Sequence, residues 1–202
     1  VFVFDLDAGA WTLQQTIEVP PESLSSGFGE GIRFDDEWLF VTAPRDSATV
    51  RFGGSVFVYQ READGTFTFF QKLTIDFFGK FGSALAYNGR SLLVGVPGYQ
   101  PDVQSQGGVF AYSFDGTRWV LDERITLSDA RKNDGFGTFM GAQDSTMVAS
   151  AAGRRTPVGM GVVVRFEQQP DGSWLEVGHL TPDHDGRSPD YGFGLALRDG
   201  KA

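Results

Sequence analysis

Near the end of the chain the stretch "PDHDGRSPDYGFG" gathers Asp183, His184, Asp185 and Asp190. Carboxylate oxygens crowded into one loop are what calcium takes, about six to eight at a time. The spacing fits no complete EF-hand pattern, and an acidic loop that caps its own turns would use the same residues. The main expectation is therefore no metal and no cofactor, with calcium at Asp183, Asp185 and Asp190 as the alternative.

Other stretches carry the outline of a site and a plainer explanation beside it. "GFGEG" from Gly27 resembles a dinucleotide loop, but such a loop must open a helix whose N-terminus meets the pyrophosphate. Here the strand-like "GIRF" follows instead. His179 and His184 are the only histidines; His179 closes an apolar strand and reads as a packing residue, while His184 reads as a solvated member of the acidic loop. A Ser-His-Asp triad is defined by geometry rather than order, and no G-x-S-x-G elbow is present. Asp35, Asp36 and Glu37, and separately Asp129 with Asp134, could serve glycoside hydrolysis if about 5 to 9.5 Å apart across a cleft. Turn formation and solvation account for them without it. Trp38 and Trp174 could stack on sugars, but packing between β elements is the expected use.

These residues need a frame, and the frame is a repeat. Phe-Gly pairs stand at Phe28-Gly29, Phe81-Gly82, Phe136-Gly137 and Phe193-Gly194, spaced by 53, 55 and 57 residues. In step with them run "VFVF" at Val1, "VFVY" at Val56, "VFAY" at Val109 and "VVVR" at Val162. Each of these runs leads into an Asp- and Gly-containing turn and then an aromatic residue: Trp11, Phe67, Trp119 or Trp174. An aliphatic follows six residues later, at Ile17, Leu73, Ile125 or Leu180. Asn-Gly and Asp-Gly suit the positive φ of tight hairpins. Each unit thus predicts four short antiparallel strands, with the small-residue first strand inside and the aromatic fourth strand at the rim.

Such meanders cannot bury both faces alone, and stacking them radially gives a β-propeller. The expected fold is all-β, about half of a propeller in one partial domain. Residues 1–19 supply the last two strands of a blade, 27–76, 80–128 and 135–181 three whole blades, and 191–202 the start of another.

At this register the chain resembles the FG-GAP repeat family, the repeat of the integrin α-chain head, and in particular its bacterial and protist-like versions with W-x-x-x-Q-K-L strands. The resemblance rests on Phe81-Gly82 with Gly95-Val96-Pro97, on Phe28-Gly29 with Thr42-Ala43-Pro44, on Phe136-Gly137 with Ser150-Ala151-Ala152, and on "FFQKLTI" and "WTLQQTI". It implies a propeller, commonly of seven blades, on a secreted or cell-surface protein. The family's D-x-D-x-D-G calcium loop would lie between the first two strands of a blade, where this chain has short turns such as "YNGR".

Composition narrows the partners. Hydrophobic residues make up 41% and Phe occurs 19 times, enough for a sizeable core. With 17 basic against 26 acidic residues the formal charge is −9, which opposes phosphate-backbone binding and so argues against nucleic acid. No apolar run approaches the ~20 residues of a membrane-spanning helix, and without cysteine there are no disulfides.

Function then falls to the longer connections, where a rigid scaffold places its variable residues. Arg45, Asp46, Tyr99, Asp102, Arg131, Lys132, Arg154, Arg155 and His184 are the candidate ligand-binding residues of that end. The expected role is non-catalytic adhesion through a protein or glycan partner at an extracellular surface. A structural unit packing against copies of itself is the alternative, and a secreted enzyme the third reading.

Overall fold

A computed structural model of the chain describes residues 1–19, 27–47, 49–156, 159–180 and 191–197. Among them the chain is all-β. The strands are β1 (Phe2–Asp7), β2 (Ala10–Thr16), β3 (Ile32–Phe34), β4 (Trp38–Ala43), β5 (Ser55–Arg61), β6 (Phe67–Thr74) and β7 (Leu85–Tyr87). They continue as β8 (Ser91–Gly95), β9 (Val109–Phe114), β10 (Trp119–Ile125), β11 (Phe136–Gln143), β12 (Thr146–Thr156), β13 (Gly159–Gln168) and β14 (Trp174–Leu180). Among the described residues no helix is long and apolar enough to cross a membrane.

Pairing follows chain order. β3 to β6, β7 to β10 and β11 to β14 each form a four-stranded antiparallel meander, and β1 with β2 forms a two-stranded sheet. The hairpins close on side-chain oxygens as much as on glycine. Asp35 Oδ1 accepts from the Glu37 and Trp38 amides, and Asn88 Oδ1 from those of Arg90 and Ser91. Asp64, Asp115 and Asp171 each take both the N–H and the hydroxyl of the Thr or Ser two residues on.

The sheets stack face to face, and the core consists of their junctions. Ile17 packs with Leu39, Val41, Phe57 and Phe67 at the first. At the second, Trp38, Phe40, Val58 and Leu73 meet Phe81, Leu92, Phe110 and Trp119. The third joins Leu93, Ala111 and Ile125 to Phe136, Met147, Phe166 and Trp174. Alternation along β4 does this directly: Trp38 and Phe40 face one neighbour, Leu39 and Val41 the other. Phe40, Phe57, Phe81, Phe110 and Phe136 are fully buried, and burying one such ring contributes about 1.5–3 kcal/mol.

The fourth strand of each sheet departs from strict alternation. Gln14, Phe70, Asp122 and Val177 are each left unpaired where the register shifts, a β-bulge recurring at one position of the repeat. Six residues of strict alternation would put Trp119 and Ile125 on one face. The bulge turns them to opposite faces, so Trp119 packs toward the preceding sheet and Ile125 toward the following one.

The Phe-Gly pairs splice one sheet to the next. Phe81 N–H donates to Gly53 O (2.8 Å) and Phe136 N–H to Gln106 O (3.0 Å), beside short parallel bridges from Gly54 to Phe81 and Gly107 to Phe136. A Cβ on Gly54 would lie 2.2 Å from Phe81 O, and one on Gly107 2.2 Å from Phe136 N. The fourth splice corrects the sequence reading. Tyr191 N–H donates to Met160 O (3.0 Å), and Gly192, at φ +83°, sits against Ser150 and Val163 as Gly82 sits against Ser55 and Thr42. Phe193-Gly194 is displaced past the joint: Phe193 is exposed, its ring 5.5 Å from Phe139. What the joint requires is a close backbone and a glycine at positive φ, which Tyr191-Gly192 provides. Phe28 is half-buried beside Phe57, and Gly29 N–H donates to Thr42 O as Gly82 N–H does to Gly95 O.

Candidate functional site

The meander puts the turns of the first and third hairpins of each sheet at one end of the stack. The connections between second and third strands, and from sheet to sheet, lie at the other. In the third meander the second connection is less irregular than its sequence suggests: β12 and β13 extend as a ladder, with Arg155 opposite Met160 and Thr156 opposite Gly159.

Three of the expected ligand-binding residues prove to be one structural position. Asp46 and Tyr99 each donate their amide to the residue three back, Ala43 or Val96, and accept from Gly54 or Gly107. Gly98 and Gly153, just before Tyr99 and Arg154, each donate to the incoming inter-sheet connection, at Gly79 O and Asp134 O. From this position Asp46 turns inward to Ser55 Oγ (2.7 Å) and Lys72 Nζ (2.8 Å). Tyr99 packs on Phe77 (5.3 Å) and Phe110 (5.1 Å). Arg154, 3% exposed, binds both Asp129 oxygens (2.7 and 2.9 Å), the Asp129 carbonyl (3.2 Å) and Asp134 Oδ2. Tyr99 and Arg154 therefore brace the incoming connection, and Asp46 ties its loop to β5 and β6 of its own sheet. The chemistry of each follows what it meets: a hydroxyl and an ammonium, aromatic rings, or two carboxylates.

The remaining expected residues that are described are exposed. Arg45 pairs with Glu30, Arg131 lies 3.5 Å from Asp129, and Asp102, Lys132 and Arg155 are open to solvent. Arg131, Lys132, Asn133, Arg155 and Met160, with Asp134, which Arg154 neutralises, line a cleft of about 430 Å³ beside Gly153. A second cleft at this end, about 480 Å³, lies between Arg45, Phe52, Phe78 and Lys80. His184, Asp183, Asp185 and Asp190 lie outside the described residues. Trp38 and Trp174 are buried in the junctions. Gly27 to Gly31 lead into β3, so no helix meets that glycine loop.

The carboxylates Asp129 and Asp134 come together on a single guanidinium. Burial pushes the Asp129 carboxyl up, but the Arg154 hydrogen bonds and charge more than offset it, and it titrates below the ordinary carboxylate range. Glu176 behaves alike: burial raises it, and the Ser128 N–H and His179 outweigh burial. Glu176 Oε2 accepts from Ser128 N–H (2.9 Å), and Oε1 lies 2.9 Å from His179 Nε2. One oxygen each from Asp129 and Glu176 and a His179 ring nitrogen all lie within 4.8 Å of one another.

This triad escaped sequence reading because Glu176 and His179, three apart on a strand, should face opposite ways. The bulge at Val177 puts them on one face. The signal that could have found them is departure from the repeat. At the preceding junction the corresponding residues are Leu121 and Arg124, Phe77, Tyr99 and Phe110, an aromatic stack with Arg124 over the Phe110 ring. Here Glu176, His179, Asp129, Arg154 and Val163 replace all five.

No family model matches the chain, and no curated protein matches it.

Proposed function

We propose that the chain is a segment of a β-propeller of FG-GAP, integrin-like type. Its role is binding without catalysis: it holds a protein or glycan partner at an extracellular surface through its long-connection end. The observation that carries this reading is the contrast between the two ends of the stack. One end is formed by short turns whose Asp and Asn side chains bond their own backbone, and its clefts of about 460 and 440 Å³ set Arg90 among Asp144, Asp122, Glu123 and Asp171. The other offers the cleft of Arg131, Lys132 and Arg155, a cationic site on a chain of formal charge −9. A partner bearing carboxylate or sulfate groups suits it. The ring form is supported by consecutive meanders packed face to face and spliced at their first strands, and by apolar faces still open on β1–β2 (Phe4, Trp11) and β14 (Leu175, Val177). Those open faces also suit the second reading, a structural unit packing against copies of itself. Screening the protein on a glycan array and by pull-down tests binding. The reading predicts selective capture of acidic ligands, lost on Arg131→Glu with Arg155→Glu; silence in both assays contradicts it.

A further inference from the structure

We propose that Asp129, Glu176 and His179 form a binding site for a single transition-type dication of the zinc class. The donor set is one imidazole nitrogen and two carboxylate oxygens, within 4.8 Å of one another. Zinc is commonly held by three such protein groups with a fourth position left to water. Calcium wants about six to eight oxygens and has no use for the imidazole. The groups come from two elements: Asp129 from the connection after β10, Glu176 and His179 from β14.

The geometry is held from outside the triad. Arg154, buried and fixed by Asp134, binds Asp129 through both carboxylate oxygens and its carbonyl. It leaves each carboxylate oxygen a further lone pair. Ser128 N–H occupies Glu176 Oε2 and so turns Oε1 toward His179. Fixing ligand carboxylates through outer hydrogen bonds is how proteins orient a metal site. Charge agrees. Asp129, Asp134 and Glu176 are three anions against Arg154 and Arg131, leaving one net negative charge with a neutral imidazole, a sign that attracts a cation.

A separate observation is the internal comparison. The same place one junction earlier is built from three aromatic rings with the Arg124 guanidinium over one of them and Leu121 beside it in sequence register, and these positions hold no carboxylate or imidazole. Packing alone is served by that arrangement, and a mere charge pair needs two residues. Exchange of five spatially clustered positions, which brings an imidazole onto two carboxylates, is what a ligand site calls for.

Calorimetric titration of zinc chloride into the chain, with thermal melts in zinc or calcium, tests the proposal. One zinc per chain and a melting temperature raised by zinc and not by calcium are expected. His179→Gln, whose amide can still donate to Glu176, should keep the fold and weaken zinc by at least about tenfold, whereas His184→Gln should bind as the parent does. Cobalt should give the visible absorption of a low-coordinate site in the parent and not in His179→Gln. Absence of zinc heat, or binding that survives His179→Gln and is lost in His184→Gln, overturns the proposal and leaves an ion-pair brace.

Discussion

The side-chain amide of Gln71 closes two hydrogen bonds on the backbone of Trp119 in the next sheet: Nε2–H donates to Trp119 O (3.0 Å) and Oε1 accepts Trp119 N–H (2.8 Å). Gln15 grips Phe67 the same way, both bonds at 2.8 Å. One residue of β2 and one of β6 thus latch onto the fourth strand beyond. The glutamine four residues after the aromatic in "WTLQQTI" and "FTFFQKL" has this as its physical purpose.

At the third junction the latch is half made. Glu123 Oε2 accepts Trp174 N–H (2.9 Å), but a carboxylate has no N–H to return to the carbonyl. Glu123→Gln should therefore stabilise the chain by about 0.5–1.5 kcal/mol, read as a rise in denaturation midpoint at unchanged slope. A lower midpoint would show that the carboxylate is not a defective copy of the glutamine.

Gly107→Ala tests the splice between sheets. Gly107 combines φ +82° with a Cβ position 2.2 Å from Phe136 N, whereas Gly89 has φ +85° and nothing within 4 Å. Backbone strain alone should cost Gly89→Ala about 1–2 kcal/mol. Strain plus the clash should cost Gly107→Ala at least about 3 kcal/mol or prevent folding. Equal losses in urea unfolding would contradict the splice as a packing constraint.

Arg154→Met asks whether that residue is a brace or a ligand contact. With the guanidinium gone, the 1% exposed Asp134 carboxylate loses its counter-charge, and breaking a buried pair costs about 3–5 kcal/mol. An unchanged melting temperature would return Arg154 to the list of surface residues.

The sequence-level account was sound wherever a local device repeats. The Asp-Gly and Asn-Gly hairpins, the strand runs and the period that spaces them are each fixed by residues close along the chain, and the three meanders appear where those marks fall. What escaped it depends on register. The bulges at Asp122 and Val177 have no signature in side-chain type, yet they decide which face Ile125 and His179 take. Arg154 falls in a long connection and so reads as a ligand contact; its burial follows from Asp129 and Asp134, 25 and 20 residues earlier, closing over it. Phe193-Gly194 satisfied the letter pattern while Tyr191-Gly192 satisfied the backbone.

Acid should loosen the turns. Hydrogen bonds from the Thr66 and Thr117 side chains, and from that of Ser173, hold Asp64, Asp115 and Asp171 below their ordinary value of 3.8. A depressed folded-state pKa contributes stability above the unfolded value and loses it as pH falls through the folded one. Stability should thus decline between about pH 5 and about pH 2. In Asp115→Asn, whose side-chain oxygen still accepts from the Thr117 amide, that decline should be shallower in melts across the range. An unaltered decline would contradict a part for this turn.

The most direct test of a binding role for the long-connection end compares charge reversals at the two ends of the stack. Arg131, Lys132 and Arg155 changed together to Glu should abolish capture of carboxylated or sulfated ligands on an immobilised-ligand sensor. Arg90→Glu with Arg118→Glu, in the tight turns, should leave it intact. Equal loss from both sets, or loss only from the tight-turn pair, would contradict the assignment of function to that face.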